Sequence, residues 1–126
     1  MKNKIRLNFG CGNDIRKDYF NVDIKSSKNI DKSFDFNYFP YPFKTNTFEE
    51  VYADNVMEHL TDIPLVMKEL HRISKPNAKI RIIVPYYNCY GAYNDITHLH
   101  TLTNILLSRF TKKARGVIIL STKNLN

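Results

Sequence analysis

Ile5, Leu7 and Phe9 alternate with Lys4, Arg6 and Asn8, and the run stops on Gly10-Cys11-Gly12-Asn13. Alternation with period two is the signature of a strand with one buried face. A second alternating run, Phe20, Val22 and Ile24, follows closely and carries Asp23 near its end. The interval from Gly12 to Phe20 is close to the shortest that can cross over between parallel strands, so a helix within it has room for a turn or two at most. Two strands joined by so short a glycine turn limit what the rest of the chain can build around them.

Beyond Ile24 a lysine-rich stretch leads to Phe34-Asp35-Phe36, a brief third strand. Pro40 and Pro42 stand among aromatics in residues 37–48, which argues for an extended loop rather than a helix or a central strand. Glu50 to Asp54 restarts a strand. The period then changes: Leu60, Ile63, Val66, Met67, Leu70 and Ile73 are spaced three or four apart, as on a helix. Thr61 or Asp62 serves as its N-cap, with Pro64 in the first turn, and Lys75-Pro76-Asn77 closes it. Lys79 to Pro85 is dense in β-branched residues and reads as a strand. A long loop from Tyr86 to His100, a helix over about Leu102 to Lys113 and a last apolar run, Gly116 to Leu120, complete the pattern. Strand, helix and strand in alternation define an α/β domain with a mainly parallel sheet.

The 126 residues suit one domain, 1–126, and leave no room for a separate substrate domain. No run approaches the roughly 18 to 20 apolar residues that span a bilayer, and the N-terminus turns polar before a signal-peptide core develops. No membrane partner and a cytoplasmic location are expected. Cys11 and Cys89 are too few for a disulfide framework or a metal clip and read as free thiols. The formal charge of +7 comes from scattered Lys and Arg, with one small cluster at Lys112, Lys113 and Arg115. A solvated surface is favoured over a nucleic-acid patch, which stays open as an alternative.

Loops at the carboxyl ends of parallel strands are where such sheets bind ligands, and glycines there let a ligand approach the backbone. The dinucleotide fingerprint GxGxxG fails, because Ile15 stands at its third glycine and Asp23 follows far sooner than about twenty residues. No GK[ST] exists for a phosphate-cradling loop. What remains is a glycine turn with an acid at the end of the next strand, suited to accept from both hydroxyls of a ribose. Asp35 could accept similarly from an adenine amino group, or be a solvated loop acid.

Leu7–Asn13 (LNFGCGN), Asn21–Ile24 (NVDI), Phe39–Leu60 (FPYPFKTNTFEEVYADNVMEHL), His71–Pro85 (HRISKPNAKIRIIVP) and Asn94–Thr103 (NDITHLHTLT) together resemble the class I S-adenosylmethionine-dependent methyltransferases, nearest their small type 11 subgroup. The last segment is similar to a DPTH-containing stretch in some of those proteins. The resemblance implies a Rossmann-like, mainly parallel sheet flanked by helices. That fold usually has seven strands, and the sequence to Asn126 accommodates one of the two in its final antiparallel hairpin. Part of the hairpin is therefore expected to be missing.

Residue by residue, the resemblance implies that Gly10, Cys11 and Gly12, with Phe9 before them, pass under the methionine part of the cofactor S-adenosylmethionine. Asp23 would hold its ribose, Asp35 and Phe36 would meet its adenine, and Asn55 and Val56 would line its other side. Glu58 and His59 match an EH pair that opens the following helix. Asp95, Thr97 and His98 would sit over the substrate pocket, although Ile96 replaces the usual proline there. The implied activity is methyl transfer to a small molecule or carbohydrate-type acceptor, with His98, then Asp95, as the base an acceptor hydroxyl or amine would need.

Other readings stand beside these. The chain could bind cofactor without turnover, methylate RNA or protein, or use a second copy to cover an open sheet edge. His98, His100 and Asp95 could imitate a metal site, but they lack a further spaced ligand, and no metal is expected. Tyr86, Tyr87, Tyr90 and Tyr93 could wall the substrate pocket or pack the loop. Cys11 reads as a small buried residue and not a nucleophile, His59 as a helix-start residue, and His71 as exposed and without function.

Overall fold

The computed structural model describes residues 4–85 and 117–123. Six parallel strands form one sheet: β1 (Arg6–Phe9), β2 (Phe20–Asp23), β3 (Lys32–Ser33), β4 (Phe48–Asp54), β5 (Ser74–Pro85) and β6 (Val117–Lys123). Their order across the sheet is β3-β2-β1-β4-β5-β6. The expected α/β fold is thus present, and among the described residues every strand pairing is parallel. Such an order reverses direction between β1 and β4, and the crevice at that reversal is where doubly wound sheets take ligands.

One sheet face carries the core. Leu7, Phe9, Val22, Val51, Ala53, Ile80 and Ile82 cluster with Val66, Met67, Leu70 and Ile73 of α1 (Ile63–Ile73). The aromatic loop between β3 and β4 adds Phe36 and Tyr41. Phe36 stacks on Phe9 with ring centroids 4.1 Å apart, and Phe43 meets Phe20 and Phe48 edge-on. The two prolines keep this loop out of helix and strand, as the sequence suggests. It is tied to α1 by ions: Glu69 accepts from the Tyr41 amide at 2.7 Å and from Arg72, whose guanidinium also donates to the Tyr41 and Phe43 carbonyls.

The opposite face is polar, with a transverse row Asn21, Asn8, Tyr52 and Arg81 in lateral register across β2, β1, β4 and β5. Alternation in each strand dictates this partition, because successive side chains point to opposite faces.

Several boundaries differ from the sequence reading. The third strand is Lys32–Ser33, not Phe34–Phe36, because Phe34 and Phe36 turn into the aromatic core. Strand β2 ends at Asp23, leaving Ile24 48% exposed instead of in the alternating pattern. Asp62 and not Thr61 caps α1, its carboxylate accepting from the Leu65 amide at 3.1 Å. The helix stops before Lys75-Pro76-Asn77: Ser74 is already extended, pairs with Phe48, and returns its hydroxyl to the Leu70 carbonyl at 2.6 Å. Residues 75–78 then bulge from β5, with Asn77 at φ 66°, before Lys79 pairs with Glu50.

The crossover from β1 to β2 contains no helix at all, only turns. Two buried amides substitute for it. Asn8 donates to Asn21 Oδ1 at 2.8 Å and to the Asp14 carbonyl at 2.7 Å. Asn21 accepts from the Arg16 amide at 3.0 Å and donates to the Arg16 and Tyr19 carbonyls. Buried polar groups must be satisfied, and here the two asparagines satisfy each other and the crossover's main chain together.

Candidate functional site

The glycine turn leaves β1 at the reversal point. Gly10 (φ 74°) and Gly12 (φ 52°) both adopt the left-handed region that other residues enter at a cost. The Gly10 and Cys11 amides both donate to the Val22 carbonyl at 3.0 Å, which curls the turn back over β2. A Cβ on Gly10 would strike Val56, whereas nothing lies within 4 Å of one on Gly12. The turn is therefore packed at its first glycine and open at its second.

Asp23 faces that opening. Its Oδ2 accepts from the Gly12 amide at 3.0 Å and its Oδ1 from the Ile24 amide at 2.8 Å. A carboxylate has about four lone-pair sites, so each oxygen retains capacity for one further donor. On the other side of the crevice, Asn55 leaves β4 with φ 55° and its amide donates to the Ile83 carbonyl at 2.8 Å. Its Oδ1 is enclosed and has no hydrogen-bond donor among the described residues. Buried acceptors are nearly always satisfied, which sets this oxygen apart among the described residues.

The remaining site residues divide. Phe9 and Phe36 have no exposed surface and lie behind the turn, their rings stacked on each other. Their rings are consumed by the core stack. Asp35 is exposed, and its Oδ1 accepts from the Asn37 amide at 2.9 Å, closing a turn at the rim. Cys11 is buried, and burial together with Asp23 pushes its thiol up to about 11, which suits a packing residue and not a nucleophile. His59 sits in a 3-10 turn, Met57–His59, that precedes α1 as a separate element. His71 is half-buried with its Nε2 enclosed, not exposed as its helix position suggested.

Asp95, Thr97, His98, His100 and the four tyrosines from Tyr86 to Tyr93 lie outside the described residues, as do the loop and helix expected over them. Among the described residues no three or more His, Cys, Asp and Glu group as metal ligands, and no helix is long and apolar enough to cross a membrane. The sequence reading missed the Asn8 and Asn21 pair. Two asparagines at the polar alternation positions of adjoining strands, in register with each other, were the available signal.

An open parallel sheet with a glycine turn, an acid on the neighbouring strand and a crevice at the strand reversal is the arrangement of a doubly wound α/β protein, whose ligands bind at that reversal. The profile of the family described as "Methyltransferase domain" matches residues 7–82, and the chain belongs to that family. Among curated proteins, the "2-phytyl-1,4-naphtoquinone methyltransferase" of Nostoc sp. (strain PCC 7120) is 43% identical over 47 residues, 37% of this chain. The chain spans about a fifth of that relative's length, 20%. No solved structure matches it significantly.

Proposed function

We propose that the chain binds S-adenosylmethionine and transfers its methyl group to a small-molecule acceptor. The observation that supports this most is the open glycine turn whose Gly12 amide is held by Asp23. The residues fit the cofactor: Asp23 keeps acceptor capacity for two ribose hydroxyls, and the space over Gly12 is one that a side chain would fill. Asn55 Oδ1 offers an acceptor to a cationic donor from the other side. The bound cofactor supplies an electrophilic methyl on a sulfonium. What the protein contributes is position: Gly10 lets the turn pack against Val56, Gly12 admits the ligand against the backbone, Asp23 fixes it rotationally, and the closed aromatic core behind Phe9 gives the floor rigidity. Holding reactants in line can supply roughly 7 to 11 kcal/mol of a barrier.

The relative's printed name points to a quinone-type acceptor, and a small molecule of that kind or a carbohydrate is the proposed class. His98, with Asp95 second, is proposed as the base if the acceptor is a hydroxyl or protonated amine. Calorimetric titration with S-adenosylmethionine and with S-adenosylhomocysteine tests the reading. Micromolar binding of both is the expected result, and a folded protein that binds neither overturns it. His98→Ala then tests the base: turnover should fall far more than cofactor affinity.

A further inference from the structure

The crossover that carries Gly12 into the site has no helix to stiffen it, so its position depends on what it leans against. Its inner side is fixed by the amides of Asn8 and Asn21. Residues 12–15, 17 and 18 are exposed. Between them Arg16 is held twice: at its main chain by Asn21, and at its side chain by β4, where its guanidinium carbon lies 3.6 Å from the centroid of the Tyr52 ring. Tyr19 adds a second tie to the same strand through its hydroxyl and Glu50.

Tyr52 is 8% exposed and stands opposite Asn8 in the sheet. Its ring seats Arg16, and its hydroxyl donates to Asp54 Oδ2 at 3.4 Å, next to Asn55 and Val56. Arg16 in turn donates from Nε to Asp14 at 3.4 Å, and the Asp14 amide donates to the Cys11 carbonyl at 2.8 Å. One side chain is thus linked to both walls of the crevice: indirectly to the glycine turn, through Arg16 and then Asp14, and to the end of β4 through Asp54. A guanidinium stacks flat on an aromatic face, which an ammonium cannot reproduce.

We propose that Tyr52 is a positioning residue of the cofactor site, a strap that crosses β1 and sets the glycine turn against the end of β4 by seating Arg16. The proposal deepens the cofactor reading above and rests on it for its ligand. Tyr52→Leu removes the seat. Arg16→Lys keeps the charge and loses the planar guanidinium, and Tyr52→Phe keeps the ring under Arg16 and loses only the hydroxyl.

Two readouts test it. In the free protein the backbone amide resonance of Gly12 should shift in Tyr52→Leu and Arg16→Lys and stay near its wild-type position in Tyr52→Phe. Affinity for S-adenosylhomocysteine should fall about five- to tenfold in the first two and hold in the third. Affinity for adenosine, which lacks the amino-acid half proposed to lie over the turn and meets it only through Asp23, should fall less than that for S-adenosylhomocysteine. An unmoved Gly12 resonance in Arg16→Lys overturns the strap, as does an equal loss of both ligands. Wild-type protein that binds neither nucleoside sinks the cofactor reading instead, and the Gly12 resonance still decides whether Tyr52 positions the turn.

Discussion

Gly10 stands against Val56 so closely that a Cβ on the glycine would fall 2.6 Å from Val56 Cγ2 and 2.8 Å from its Cβ. Val56 is 8% exposed and has little freedom to retreat. Gly10→Ala therefore combines a clash with a left-handed backbone, φ 74°. We expect a loss of about 2 to 5 kcal/mol of stability, read by urea denaturation.

Gly12→Ala should separate fold from function. Its φ of 52° costs about 1 to 2 kcal/mol for a residue with a Cβ, but no atom obstructs the methyl group. The protein should remain folded while S-adenosylhomocysteine binding, measured by calorimetry, is lost. Retained affinity would mean that the ligand does not lie over the turn.

Asp23→Ala and Asp23→Asn should both weaken cofactor binding by at least about tenfold while leaving a folded protein. Both carboxylate oxygens accept a backbone N–H, so an amide there turns its own NH2 toward one of those donors. Full affinity in Asp23→Asn would remove the carboxylate from the proposed role.

Cys11 should resist alkylation. With its thiol pushed up to about 11 by burial and by Asp23, little thiolate exists near neutral pH. In a Cys89→Ser background, iodoacetamide should react slowly with native protein and rapidly once urea unfolds it. Fast reaction of the native thiol would contradict the packing role.

Arg72 holds the Glu69 carboxyl below the usual carboxylate range by hydrogen bonding, against the opposing effect of burial. A depressed carboxylate stabilises the fold above its unfolded pKa, and that contribution is lost as pH falls through the folded value. At about pH 7, Glu69→Gln should be less stable by about 1 to 3 kcal/mol. The gap should close as pH falls through and below the ordinary carboxylate range, seen as converging urea midpoints. A constant gap would show that the pair contributes through shape and not charge.

Alternation disclosed β1 and β2 because period two is imposed by the strand itself, and Leu7, Phe9 and Val22 reach the core as their spacing requires, while β5 was legible in its β-branched residues. Gly10, Gly12 and Asp23 were legible for the same local reason, since a positive φ and a short crossover leave few residue types to choose from. What escaped was tertiary. Nothing near Phe34 tells that it joins Phe36, Tyr41 and Phe43 instead of a strand, and Ser74 becomes extended because β4 offers it a partner. Likewise Asn8 and Asn21 look like polar interruptions until the sheet places them side by side.

Parallel strands ordinarily wait for an intervening helix to form before they can meet. The crossover from β1 to β2 dispenses with one, and its two ends are matched by a short span of chain whose closure entropy is small. Local contacts of this kind form quickly, whereas the pairings of β1 with β4 and of β4 with β5 bridge longer separations. The strand pair that carries Gly12 and Asp23, with the still shorter link from β2 to β3 beside it, is therefore closed by local chain, and the glycine turn and its acid sit where the sheet has the least loop to order.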